Sequence, residues 1–282
     1  MSQDILNKFF NRALNGGVAG SAAMATQVLS LMWLRTTMNY QYRHGSSTLT
    51  AIKTLYREGG IPRFYRGLLP ALVQGPLSRF GDTAANSGIM YYLEQNPNTK
   101  NLNIGTKSLI CSTGAALWRI VIMPVDSIKT NMQVNGKDGL KILGRKLKTG
   151  GIPVLYNGAI ASSSATFVGH FPWFFTYNYL NQKLPNYEDQ MFLKFIRNGA
   201  IGFSASIVSD TCSNSLRVIK TTKQTHNENI SYTKAINIVV KKDGLNGLFL
   251  RGLQTRILAN GLQSALFTIT WKYFEKKLLL IH

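Results

Sequence analysis

The sequence predicts an all-α membrane protein: six transmembrane helices in three pseudo-symmetric repeats, with short amphipathic helices at the surface. Three observations predict it. Two landmarks recur three times in the same order. Long apolar stretches with few charges lie between them. In each repeat a short basic stretch, with apolar residues at helical spacing, joins the first landmark to the second. Units of under about a hundred residues make poor separate domains and bury their faces against one another.

The first landmark is clearest in Pro124-Val125-Asp126-Ser127-Ile128-Lys129. A proline inside a helical pattern removes a backbone donor and kinks the helix. Asp126 and Lys129 sit one turn apart beside that kink. Lys129 aligns with Arg35 and Lys220, which lie 94 and 91 residues away. The second landmark runs from Glu58-Gly59-Gly60 to Gly67, from Thr149-Gly150-Gly151 to Gly158, and from Asp243-Gly244 to Gly252. Its closing glycines are 91 and 94 residues apart. Repeats of 1–97, 98–189 and 190–282 are expected.

These landmarks resemble those of the mitochondrial carrier family, across essentially the whole chain. The family pattern is Pro-x-[Asp/Glu]-x-x-[Lys/Arg], an amphipathic segment, then acidic-Gly and aromatic-basic-Gly. The second repeat carries the first half intact. The first repeat carries the second half best, ending Phe64-Tyr65-Arg66-Gly67. The third holds Asp243-Gly244 and Arg251-Gly252. In all three the acidic-to-glycine spacing is one residue longer than the usual pattern.

Composition bounds the alternatives. Net charge is +20, which in a soluble protein would point to nucleic acid. The basic residues are instead spread between apolar segments, which suits contact with anionic lipid and predicts no nucleic-acid partner. Mean hydropathy of −0.03 is low for a membrane protein and fits helices that line a polar path. Cys111 and Cys212 give no disulfide or metal spacing and are expected as buried thiols. His44, His170, His226 and His282 pair with no acid or cysteine in a catalytic or metal-binding pattern. The chain is therefore read as a non-enzyme without cofactor. Met1 to Arg12 gives no sign of a cleavable presequence.

The elements follow in order. Ala13 to Leu34 is uncharged and long enough to span a bilayer. Its Gly16, Gly17, Ala19 and Gly20 allow close helix approach. Thr48 to Arg57 is amphipathic and lies along the surface, with counterparts at 139–148 and 231–242. The second span is Pro70 to Leu93. It holds Arg79 and Asp82, one turn apart and so able to pair, or to face a water-filled path. After a polar linker, the third span runs from Ile104 to Met132, with Arg119 inside it and the kink at Pro124. Ala159 to Gln182 reads as a clear fourth span, Phe192 to Thr222 as the fifth and Leu253 to Tyr273 as the sixth.

The resemblance implies roles for particular positions. Interhelical ion pairs close the matrix gate, and here the candidates are Arg35, Asp126, Lys129, Arg217 and Lys220. The proline position reads Ser30, Pro124 and Ser215, and the acidic position Met32, Asp126 and Arg217. One acid thus faces four bases, so a full ring cannot form. Either Ser and Thr hydrogen bonds hold the gate or an anion bridges the bases. The aromatic-acidic pair of the cytosolic gate falls on Asn86-Ser87, Tyr177-Asn178 and Trp271-Lys272, with Glu275 one turn on. Substrate contacts fall on Gln74, Ala165-Thr166 and Ala259-Asn260 of the even spans, and on Ala25, Arg119 and Asp210 of the odd ones. Arg79 and Asp82 add charge nearby. Arg119 is the main candidate, since a guanidinium fork matches a carboxylate or phosphate; a structural pair with Asp210 is the rival role. Arg256 is placed nearer the matrix end. Cardiolipin is expected at Arg66-Gly67, Gly158 and Arg251-Gly252, where even spans begin.

The resulting expectation is a monomeric, multi-pass carrier of the mitochondrial inner membrane. It would exchange a small anionic metabolite, a di- or tricarboxylate first, by alternating access. An amino-acid carrier and a non-transporting member of the family are the alternatives.

Overall fold

A computed structural model describes residues 3–187, 190–264 and 266. Helices α1 (Gln3–His44), α2 (Thr48–Phe64) and α3 (Leu68–Gln95) form the first repeat. The second holds α4 (Ile104–Val121), α5 (Met123–Asn135), α6 (Gly139–Gly150) and α7 (Ala159–Lys183). The third holds α8 (Met191–Thr225), α9 (Tyr232–Leu250) and α10 (253–264). No strand occurs among the described residues. The expected sixth span continues beyond them, as do Trp271, Lys272 and Glu275, and the side chains of Asn86 and Ser87 also lie outside the description.

Hydropathy alone does not mark the spans. No single described helix is long and apolar enough to cross a membrane, Ala159–Lys183 included. The pair Gly105–Val121 and Met123–Gly150 passes together, bent by 64°. Polar side chains turned toward the bundle interior lower the average of each helix. Buried Ser112, Asn131, Ser213, Asn214 and Thr255 belong to that interior.

The internal register differs from the sequence alignment in the first repeat. Thr36 Oγ1 donates to the Phe64 carbonyl at 2.6 Å, and Ser127 Oγ donates to the Leu155 carbonyl at 2.5 Å. The backbone leaves helical geometry at Leu31 in α1 and at Ile122 between α4 and α5. Both comparisons give an offset of 91 residues rather than 94. The proline position of repeat one is therefore Trp33, the acidic position Arg35 and the basic position Met38. The sequence alignment was misled because it matched Arg35 to Lys129 by charge. In the third repeat α8 runs through Ser215 with no non-helical residue noted. Serine keeps the backbone donor that proline lacks, so nothing forces a break there.

The glycine landmark is a helix stop. Gly60, Gly151 and Gly244 all take φ near +65° (64°, 66° and 66°), a left-handed conformation that costs a Cβ-bearing residue strain. Near these stops, Arg63, Lys146 and Arg251 do one job from three different sequence positions. Arg63 donates to the carbonyls of Gln133 and Val134 at 2.8 and 2.9 Å. Lys146 donates to those of Gln224 and His226 at 3.0 and 3.1 Å. Arg251 donates to those of Tyr42 and Arg43 at 3.4 and 3.3 Å. These carbonyls end α5, α8 and α1, where a cation meets the negative end of the helix dipole. Glu58 and Asp243 hold Arg63 and Arg251 at 2.7 Å each. Each cation caps a helix of the next repeat, so the three repeats close into a ring. The apolar cluster of Tyr42, Val218, Val239 and Leu248 seals the junction between the third repeat and the first.

Candidate functional site

α1, α5 and α8 each contact the other two and converge below a cavity of about 330 Å³. At the convergent end Asp126 is buried between two lysines. Lys129 Nζ lies 2.8 Å from Oδ1 and Lys220 Nζ 2.5 Å from Oδ2. The Lys220 contact joins α8 to α5. Lys129 also donates to Gln74 Oε1 on α3 at 3.0 Å. The other helix junctions close with neutral groups. Asn39 donates to Gln133 Oε1 at 2.6 Å between α1 and α5, and Thr222 donates to the Tyr42 carbonyl at 3.5 Å between α8 and α1. Gln224 adds a bond to Ser127 Oγ at 3.0 Å.

Above this end, two arginine–aspartate groups cross the bundle. Arg119 on α4 meets Asp82 on α3 at 2.6 Å and also donates to Ser78 Oγ. Asp210 on α8 receives Arg256 of α10 at 2.6 Å and Arg217 at 3.7 Å, and accepts from Asn260. Arg119 thus pairs with Asp82 rather than Asp210. The Arg79–Asp82 pair that their spacing allows does not form: Arg79 is exposed and does not line the cavity. Asp82 turns inward, where only a cation from the facing helix reaches it. Arg256 lines the cavity itself, together with Gln74, Arg119, Thr166 and Asn260. Val28 rather than Ala25 is the repeat-one counterpart of Arg119 in the corrected register, and it is buried.

Of the cavity residues missed in the sequence, Ser78 and His170 are two for which a signal was available. Each lies four residues beyond an anticipated contact, Gln74 and Thr166, on the same helix face. That spacing was the available signal. His170 Nδ1 lies 2.9 Å from Ser112 Oγ, which joins α7 to α4. Cys111 is buried as expected, whereas Cys212 is exposed on α8.

The starts of the even spans are glycines in the left-handed conformation: Gly67 at φ 82°, Gly158 at 85° and Gly252 at 66°. At α3 and α7 no side chain caps the first turn. A Cβ on Gly67 would come within 3.0 Å of the Lys129 carbonyl, and one on Gly252 within 2.7 Å of the Tyr42 ring. Arg251 is buried in its helix-capping role, so it is not turned toward a lipid surface.

Helical repeats closed into a ring around a polar, cation-lined cavity define a membrane solute carrier. The family model described as "Mitochondrial carrier protein" matches residues 6–94, 100–188 and 192–281. The chain belongs to the mitochondrial carrier family, and this membership implies the mitochondrial inner membrane. Its similarity to individual members is low. It is 25% identical to mitochondrial thiamine pyrophosphate carrier 1 of Candida albicans, over 92% of this chain and 88% of that one. It is 24% identical to mitochondrial uncoupling protein 3 of Arabidopsis thaliana, over 73% and 71%. It is 24% identical to mitochondrial substrate carrier family protein S of Dictyostelium discoideum, over 74% and 78%.

Proposed function

We propose that this carrier exchanges a small, multiply charged anionic metabolite across the inner membrane by alternating access, with a di- or tricarboxylate as the first candidate. One observation carries the reading. Among the described residues, six cations (Arg35, Arg119, Lys129, Arg217, Lys220 and Arg256) line the cavity, against one lining carboxylate, that of Asp126. A low-dielectric wall of that sign attracts and holds polyanions. Arg119 supplies the mid-cavity anion contact, exchanging its bond to Asp82 for one to the substrate. Gln74, Thr166 and Asn260 provide hydrogen bonds around it. Asp210 is already satisfied by Arg256 and Asn260, so it offers little to an ammonium group. This disfavours an amino acid.

A separate observation supports an organic diphosphate as a second candidate. A relative named for thiamine pyrophosphate aligns over most of both chains, and the same cations suit phosphate oxygens. We further propose that cardiolipin phosphates bind at the starts of α3, α7 and α10, and that the protein works as a monomer. The deciding experiment is reconstitution into liposomes loaded in turn with carboxylates, diphosphates and amino acids. Counter-exchange of a polyanion is expected. Failure to exchange any of them would favour a non-transporting member of the family.

A further inference from the structure

Arg35 and Arg217 occupy the positions equivalent to Asp126, 91 residues before it and 91 after. Where the middle repeat buries an acid between two lysines, the flanking repeats place a partly buried cation. Among the described residues, little meets Arg35. Its Nε is buried without a hydrogen-bond partner among the described residues, and its Nη2 reaches only the Met24 sulfur at 3.8 Å. Arg217 shares Asp210 from 3.7 Å, while Arg256 holds the same oxygen at 2.6 Å. Asn260 takes the other oxygen. All three arginines line the one cavity. Three partly buried guanidiniums lining one cavity, with Asp210 as the carboxylate beside two of them, leave an excess of positive charge that an anion would neutralise. Guanidinium donors are arranged to fork onto two oxygens of one anion.

We propose that Arg35, Arg217 and Arg256 form a binding site for a doubly charged oxyanion in the cavity, above its convergent end. The bound anion bridges α1 to α8 and α10, as Asp126 bridges α5 to α8. It supplies the negative charge that the flanking repeats lack. The chemistry is that of a phosphate or carboxylate group, either a free inorganic anion or one end of the transported solute. This deepens the anion-carrier reading, but it is tested through stability rather than transport.

The full-length protein is purified in neutral detergent without cardiolipin. Its melting temperature is followed against sodium phosphate, with sodium chloride at equal ionic strength as the reference. At about ten times the dissociation constant, phosphate should raise the midpoint by about 4 °C beyond chloride. Arg217→Glu puts an acid back at the third-repeat position equivalent to Asp126, on the same cavity that Arg35 lines. It should melt higher than the wild type in chloride and lose the phosphate response. Arg35→Gln should also lose the response, and serves if Arg217→Glu does not fold. Arg79→Gln should keep it, because Arg79 is exposed and does not line the cavity. A tricarboxylate response that needs Arg119 as well as the three arginines would identify the transported solute as the source of the anion. An equal response in phosphate and chloride, or the same phosphate response in both arginine variants, would overturn the site. A wild type that responds to phosphate yet exchanges no anion would end the transport reading and leave this site standing.

Discussion

Asp126 lies 2.5 Å from Lys220 across the α5–α8 contact, and it is the one carboxylate among the five gate residues. Replacing it with asparagine removes the counter-charge of two buried lysines at once. Leaving a buried charge unpaired costs about 3–5 kcal/mol. Asp126→Asn should therefore lower the thermal midpoint by many degrees in detergent. The loss should shrink when Lys220 is also changed to glutamine, because the uncompensated charge goes with it. An unchanged midpoint in the single variant would mean that neutral bonds such as that of Gln224 to Ser127 hold the α5–α8 junction alone.

A second prediction concerns pH. Lys146 caps the end of α8 from the surface helix α6. Burial lowers its pKa from 10.5 to about 8, with Lys223 and Arg43 adding to the effect. Between those two values the unfolded chain binds a proton that the folded chain does not. Stability attributable to this residue must then rise with pH through that window. Below about pH 8 both states are protonated and the contribution is flat. Melting temperatures of the wild type and Lys146→Met, measured from pH 7.5 to about 10.5, should diverge in favour of the wild type as pH rises. Parallel curves would refute the assignment.

Much of the architecture was legible because it repeats. The closing glycines and the stops at Gly60, Gly151 and Gly244 depend on backbone conformation, which few residues other than glycine tolerate, so they survive sequence divergence. The register of repeat one was not legible, because Arg35 matches Lys129 in charge while standing where Asp126 stands. Charge similarity outweighed position. The helix-capping cations were hidden for the opposite reason. Arg63, Lys146 and Arg251 reach one architectural point from unlike sequence positions, and long side chains permit that freedom. In the cavity, Arg119, Gln74 and Asn260 were visible as polar residues in apolar spans. The partner of Arg119 was not, since the choice between Asp82 and Asp210 depends on which helices face each other.

Lipid binding gives a third test. The first turns of α3 and α7 present backbone donors that no side chain caps. Such helix ends attract phosphate through free N–H groups and the positive end of the dipole. Cardiolipin should raise the melting temperature over neutral lipid. Gly158→Ala should weaken this response, because φ of 85° strains any residue with a Cβ and the added atom meets Lys220 at 3.0 Å. Asn157 lacks the charge that Arg66 carries, so the α7 site should be the weaker of the two. No gain from cardiolipin would remove the proposal.

The fourth prediction decides the substrate contact. Arg119→Ala should abolish exchange, but it also leaves Asp82 buried without the cation now 2.6 Å away. Loss of activity in that variant alone could reflect misfolding. The double change Arg119→Gln with Asp82→Asn removes both charges and keeps hydrogen-bonding groups near Ser78. It should fold with a melting temperature close to the wild type, yet exchange at least about tenfold more slowly, the scale of one lost charge-assisted bond. Arg119→Lys should restore little, since a point charge does not reproduce a fork of donors. Asp210→Asn separates the substrate classes. It removes the carboxylate that holds Arg256 and Arg217, so a polyanion should bind as well as before or more tightly. An amino acid would lose its ammonium partner, and exchange would stop. Initial uptake into liposomes preloaded with the same compound measures each case. Wild-type rates in the double variant, for every anion tried, would show that the substrate does not meet Arg119.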